Sequence, residues 1–335
     1  MPSNTSPSGV PQRTSAIRVS RTGGPEVLEP AEIDVPAPGP GQVVVQVAAA
    51  GVNFIDIYRR SGVYPTPLPN VPGSEGAGTV LAVGPDVDTG VAVGDRVAWS
   101  DLPGSYAGVV VGAADVLLPV PDGVDLEQAA ALPLQGMTAH YLAADSYRIA
   151  PGDTVLVHAG AGGVGLLLTQ IAKIKGARVI TTVSTEAKGE LSREAGADEV
   201  LVGYEGFVDR VRELTGGQGV QAVYDGVGLD TFDGSMDALA VRGFLVLYGG
   251  ASGQVPPVDP QRLNRGGSLS LTRPTLVHFT RTRAERLARS DELFGWMAEG
   301  RLIVRVGGRY PLADAARAHE DLAARRTTAK LLLVP

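Results

Sequence analysis

The run Thr154-Val155-Leu156-Val157-His158-Ala159-Gly160-Ala161-Gly162-Gly163-Val164-Gly165 constrains the fold more than any other segment. An apolar strand leads into Gly160, Gly162 and Gly165, which carry the spacing of a dinucleotide-binding turn. A helical run, Val164 to Lys175, follows. In such a turn the first glycine permits the sharp exit from the strand. The second lets a pyrophosphate approach the backbone, and the third lets the helix pack close to the sheet. The phosphates then rest on free N–H groups at the positive end of the helix dipole. Gly163 and Val164 lie within the same turn and are candidate contacts with it. The spacing alone is weak in a chain with 44 glycines, but its place between strand and helix makes it specific.

The surrounding texture agrees. From about Gly136 strands alternate with helical stretches: Arg178 to Val183, Glu199 to Val202, Ala222 to Tyr224, Phe244 to Tyr248 and Ser268 to Thr272 are strands. Helices are expected through Ala195, over Gly206 to Leu214 and over Asp230 to Ala240. That alternation predicts an α/β fold, a doubly wound parallel sheet with helices on both faces. Upstream, Ala16 to Pro133 is β-like. Val43 to Val47, Ala77 to Val83, Arg96 to Trp99 and Tyr106 to Val111 are short β-branched runs between Gly, Pro and Asp turns, which predicts a small barrel or sandwich-like domain. The last sixty residues suggest a helix over Ala284 to Glu299, a strand over Ile303 to Val306, a helix over Leu312 to Ala324 and a strand over Lys330 to Val334.

The residues after the second strand choose the dinucleotide. An NAD site usually carries Asp or Glu there to bind the ribose 2′-hydroxyl. Here Val183 is followed by Ser184, Thr185, Glu186, Ala187 and Lys188. A small hydroxyl in the carboxylate's place and a lysine four residues on favour a 2′-phosphate, hence NADPH. Glu186 keeps NAD open, and Lys188 could instead be a solvated helix-face charge.

At 335 residues the chain is long enough for two domains. It has no cysteine, which excludes disulfides, thiolate catalysis and every cysteine-containing zinc site. Net charge −7 argues against a nucleic-acid or anionic-membrane partner. No apolar run of membrane-spanning length occurs. Residues 1–15 read as a disordered polar tail without an export signal, so a cytoplasmic protein is expected.

Several blocks in order resemble the zinc-free quinone oxidoreductases, the ζ-crystallin-like branch of the medium-chain dehydrogenase/reductase superfamily. They are Ala49 to Tyr58, Ser61 to Pro65, Pro72 to Gly78, Val93 to Val97, the glycine turn, Val223 to Gly228, Thr272 to Pro274 and Ala318 to Glu320. The resemblance spans about Ile17 to Pro335. It implies a GroES-like catalytic domain (16–136 and 277–335), a Rossmann dinucleotide-binding domain (137–276) and a homodimer joined through the strand at Ser268 to Thr272. Zinc-dependent relatives place a Cys where Asn53 stands and a His where Ser74 stands, so this chain lacks those ligands. His140, His158, His278 and His319 have no ligand-pair spacing and read as structural or exposed.

The resemblance also implies site roles. Asn53, Tyr58 and Tyr64 would face the nicotinamide, with Asn53 donating a hydrogen bond to the acceptor and the tyrosines donating or stacking. Lys188 and Arg325 would hold the adenosine phosphate, with Arg326 adjoining. Thr138, Tyr248 and Gly249 would lie beside the nicotinamide, and Tyr204 resembles a phosphate-binding tyrosine displaced by one residue. Gln135 and Ala251 depart from the family's lysine and serine. The implied activity is NADPH-dependent quinone reduction by hydride transfer without a metal. Two other readings stay open here: an enoyl or alkenal double-bond reductase acting on a conjugated carbonyl, and a non-catalytic NADPH-binding protein of crystallin-like or RNA-binding type.

Overall fold

The first strand opens at Arg13. The structure, a computed structural model, describes residues 9–335; β1 (Arg13–Arg18) pairs antiparallel with β2 (Glu29–Asp34). Thr14, Ala16 and Ile17 on β1 are buried. Arg13 to Ser15 are therefore strand, a correction to the expected tail, because the hairpin gives their backbone partners that composition does not reveal. Residues 1–8 of that expected tail lie outside the described residues.

β3 (Gln42–Val52) is an eleven-residue strand, followed by α1 (Phe54–Arg60) and β4 (Gly76–Val83). Next come β5 (Arg96–Trp99), β6 (Val109–Ala113), β7 (Leu118–Pro119), α2 (Leu126–Ala131) and α3 (Pro133–Tyr141). Tyr106, expected to open a strand, instead lies buried in the connection before β6. Its backbone N–H goes to Pro72 and its carbonyl accepts from Ile17.

The alternating segment folds as a six-stranded parallel sheet. Its strands are β8 (Thr154–Val157), β9 (Arg178–Val183), β10 (Glu199–Val202), β11 (Val220–Asp225), β12 (Leu239–Leu247) and β13 (Ser270–Thr272). Interleaved are α4 (Gly163–Ile174), α5 (Glu186–Glu194), α6 (Phe207–Leu214), α7 (Phe232–Asp237) and α8 (Gln261–Arg265). The sheet order is β10-β9-β8-β11-β12-β13, so the chain reverses its direction of winding between β8 and β11. A crevice at that switch point, beyond the carboxyl ends of the strands, is where open α/β sheets bind ligands. Leu156, Ile180, Val223 and Leu245 pack in its core with Phe207 and Phe232. The helix expected through Ala240 stops at Asp237 because Leu239 already joins the ladder opposite Val220.

The chain then forms α9 (Arg283–Ala298), β14 (Val306–Pro311), α10 (Ala315–Ala323) and β15 (Lys330–Val334). The strand expected over Ile303 to Val306 starts only at Val306, where pairing with β15 begins. The second sheet has the order β14-β15-β3-β4-β5-β7, with β6 also on β3. Two compact units result. One comprises residues up to Leu134 with Thr282–Phe294 and Val304–Pro335; the other comprises Gln135–Arg281 and Gly295–Ile303. The first has its own core, with Ile17, Val45, Trp99, Leu117 and Leu331 at its centre. Among the described residues no helix is long and apolar enough to cross a membrane.

Candidate functional site

The turn between β8 and α4 has the glycine-dependent form the sequence suggests, with one difference. The left-handed residue at the exit of β8 is Ala159, at φ +54°, and not Gly160. Gly160 is needed for space: a Cβ there would lie 2.7 Å from Thr181 Cβ and 2.8 Å from Ser192 Oγ. Its N–H donates to Thr182 O at 2.9 Å, tying the turn to β9. Gly165 is needed for helix packing, since a Cβ would stand 2.3 Å from the Ala159 carbonyl oxygen. Gly162 is the N-cap of α4, and a Cβ there would meet only Ala159 O, at 3.2 Å. The outer face of Gly162 is thus open while the inner faces of Gly160 and Gly165 are closed. No acidic side chain lies in the first turn of α4. An open backbone at an uncharged helix N-terminus fits the pyrophosphate of a dinucleotide. Gly163 leaves room for the Gln135 side chain, and Val164 is half-buried beside it.

Beyond β9, Ser184 is exposed and Thr185 caps α5, its hydroxyl accepting from the Lys188 N–H at 3.4 Å. Glu186, the residue that kept NAD open, pairs with Arg193 Nη2 at 2.7 Å. That exposed pair places the carboxylate against a guanidinium on its own helix. Tyr204 follows β10, its ring 6.0 Å from that of His158. In the other unit, Arg325 holds φ +55° after α10, with its N–H on Leu322 O. Arg326 pairs with Asp321 at 2.8 Å.

Thr138 is buried on α3. Tyr248 is half-buried at the end of β12, and burial raises its hydroxyl pKa so that it stays a neutral phenol. Gly249 allows β12 to approach β11: a Cβ would lie 2.4 Å from Gly226 O. Asp225, which sequence reasoning assigned no role, organises this end of the sheet. Its backbone carbonyl accepts from the Tyr248 and Gly249 N–H groups at 2.9 and 3.3 Å. Its carboxylate accepts from the Val227 and Gly228 N–H groups and from the Thr231 and Ser235 hydroxyls, all within 2.9 Å. The available signal was an acid in a fully apolar strand run, Val223-Tyr224-Asp225, which must find donors when buried.

In the other unit Asn53 caps the start of α1 and is buried. Its Nδ2 donates to Glu75 Oε2 at 2.7 Å, and its Oδ1 accepts from Lys330 Nζ at 2.7 Å. Lys330 also pairs directly with Glu75, whose other oxygen accepts from the Leu134 N–H at 2.8 Å. The Asn53 amide, expected to donate to a hydride acceptor, thus has a protein partner at its nitrogen and at its oxygen. Neither Glu75 nor Lys330 was foreseen, since an acid and a base 255 positions apart give no local pattern. Tyr58 and Tyr64 do come together, edge to face with ring centres 5.5 Å apart, and Phe54 lies 6.3 Å from Tyr58. Tyr64 is 38% exposed, so this pair offers an aromatic surface.

Below them runs a second buried polar chain. Arg60 Nη1 is 3.3 Å from His319 Nδ1, His319 Nε2 is 3.0 Å from Tyr106 Oη, and Tyr106 Oη is 3.1 Å from Asp56 Oδ2. Burial, then the Arg60 charge, pull the His319 pKa down to about 3. Burial pushes Asp56 up to about 6. Among the described residues no three His, Asp or Glu side chains group as metal ligands.

Known proteins resemble this chain over nearly its whole length. The alcohol dehydrogenase GroES-like domain model matches residues 39–151, and the zinc-binding dehydrogenase model matches residues 163–294. The chain is 48% identical to a quinone oxidoreductase of Pseudomonas aeruginosa, over 95% of this chain and 99% of that protein. A mycobacterial protein solved in complex with NADPH superposes with a TM-score of 0.93 at 56% identity, covering 96% of this chain and 100% of its own. The quinone oxidoreductase of Escherichia coli, also complexed with NADPH, gives a TM-score of 0.93 at 43% identity with the same coverage.

Proposed function

The chain belongs to the quinone oxidoreductases of the medium-chain dehydrogenase/reductase superfamily, and from that premise we propose that it reduces quinones with NADPH, without a metal. The observation that carries the cofactor is the turn after β8, open at Gly162 and closed at Gly160 and Gly165. NADPH, when bound, supplies a hydride. With one proton from solvent, quinone, NADPH and H⁺ become hydroquinone and NADP⁺.

The protein's own work is binding and orientation, because a quinone gains aromaticity on reduction and needs little activation. Gly160 to Gly165 cradle the pyrophosphate. Ser184 leaves room for a 2′-phosphate, and Lys188 supplies its counter-charge; the pairing of Glu186 with Arg193 supports this reading over NAD. Tyr204 borders the phosphate side, and Thr138, Tyr248 and Gly249 border the nicotinamide. Tyr58 and Tyr64, packed edge to face, offer the aromatic surface against which a quinone packs. Asn53 acts through its buried bridge between Glu75 and Lys330, shaping the start of the helix that carries Tyr58.

We further read the protein as a cytoplasmic homodimer. Support comes from β13, an edge strand of the parallel sheet, and from Val241 and Val277, exposed by 75% and 54%. The test of function is NADPH oxidation with a para-quinone, an ortho-quinone and an enone in parallel, each repeated with NADH. Quinone turnover favouring NADPH is the expected result. Turnover of the enone alone would reassign the chain as a double-bond reductase.

A further inference from the structure

The dinucleotide turn rests on a buried side-chain chain whose hydrogen bonds have one consistent direction. His158, the last residue before the turn, is fully buried, as are Thr182, Ser235 and Asp225. Its Nδ1 lies 2.7 Å from Thr182 Oγ1 and its Nε2 lies 3.0 Å from Ser235 Oγ. Ser235 Oγ lies 2.8 Å from Asp225 Oδ2. Every partner of the Asp225 carboxylate is a donor, so Ser235 spends its only hydrogen there. Toward His158 the Ser235 oxygen must then accept, which places the imidazole hydrogen on Nε2. Burial holds His158 below the usual histidine range, so the ring is neutral and Nδ1 is an acceptor. Thr182 therefore donates to Nδ1. The direction is Thr182 to His158 to Ser235 to Asp225.

Each end of this chain meets the turns. The Thr182 carbonyl accepts from the Gly160 N–H at 2.9 Å, while Asp225 binds the backbone N–H groups of the turn after β11 and of Tyr248 and Gly249 after β12. We propose that Thr182, His158, Ser235 and Asp225 are positioning residues for the cofactor, locking the phosphate turn after β8 to the turns after β11 and β12 as one preformed surface. The inference rests on the NADPH reading above. None of the four side chains is asked to touch the cofactor. They set the spacing between the pyrophosphate cradle and the loops at the nicotinamide end.

Thr182→Val keeps the volume of the side chain and removes the donor to His158; Thr182→Ser keeps the donor. Ser235→Ala breaks the link at its centre. The dissociation constant of NADPH, by fluorescence titration, is expected to rise about tenfold in Thr182→Val and in Ser235→Ala, and to stay near wild type in Thr182→Ser. The double variant is expected to bind no worse than the weaker single one, because the first break already uncouples the turns. Variants that melt earlier yet bind NADPH as wild type does would overturn the proposal, leaving a merely structural role. A second readout needs no variant: ¹⁵N NMR of the wild type must show His158 as the neutral Nε2–H tautomer at neutral pH. The other tautomer, or a charged ring, contradicts the chain. Wild-type protein that does not bind NADPH sinks the functional reading, and this inference with it. Wild-type protein that binds NADPH no better than Thr182→Val and Ser235→Ala sinks this inference alone.

Discussion

Glu75 and Lys330 form an ion pair whose side chains are 0% and 1% exposed, with the Asn53 amide bridging them. A buried pair of this kind is most informative when one partner is removed. Lys330→Met leaves the Glu75 carboxylate without its cation, and about 3–5 kcal/mol of stability should be lost. Glu75→Gln combined with Lys330→Met should cost clearly less than the two single changes added together. Denaturant unfolding of the four proteins checks this; simple additivity would show that the pair is not coupled.

Lys188 separates the two cofactors. Lys188→Ala is expected to raise KM for NADPH by about 10–100-fold, the loss of one charge-assisted phosphate contact, and to leave KM for NADH within about twofold. Steady-state kinetics with both cofactors decides. Equal losses for NADPH and NADH would place Lys188 elsewhere than at the 2′-phosphate.

The glycine turn yields a contrast between neighbours. Gly165→Ala would put a methyl 2.3 Å from the Ala159 carbonyl, so the fold itself should suffer, with a lower Tm even in the absence of NADPH. Gly162→Ala meets one atom, at 3.2 Å, so Tm should change little while NADPH affinity falls sharply, the methyl occupying the outer face. Thermal melts beside binding titrations separate the two effects.

How much of this could be read from the chain itself follows the range of each signal. The parallel strands Arg178 to Val183 and Glu199 to Val202 coincide with β9 and β10, because both are short runs rich in valine between turn residues. The β1–β2 hairpin escaped, since Glu29-Pro30-Ala31-Glu32 looks polar and broken until Ala16 is seen opposite Ala31. Glycine spacing located the turn, yet not that Ala159 would take the left-handed residue's place. The polar networks stayed hidden altogether: Asp56, Tyr106 and His319 meet only after folding, as do Glu75 and Lys330.

Asp56 gives a pH dependence. Burial, its largest influence, raises its pKa from 3.8 to about 6, against the opposing pull of the Asn53 N–H, Arg59, Tyr106 and Lys330; the neutral His319 ring and the Arg60 cation complete the surrounding polar groups. Between those values the folded state holds a proton that the unfolded state has released. The buried carboxylate therefore costs stability above about pH 6, and the cost disappears as pH falls below 3.8. Asp56→Asn carries no such proton. Relative to wild type its stability should improve by up to about 3 kcal/mol on going from acid to alkaline pH. A flat difference across that range would contradict a raised Asp56.

The central claim is hydride transfer from NADPH to a quinone, and its most direct test is a single turnover in a stopped-flow instrument. Protein with one equivalent of NADPH, deuterated at the transferred position, is mixed with a para-quinone. Loss of reduced-nicotinamide absorbance with one hydroquinone formed per NADPH, slower than with unlabelled cofactor, is the predicted result. NADPH that stays bound and reduced in the presence of quinone would contradict the account.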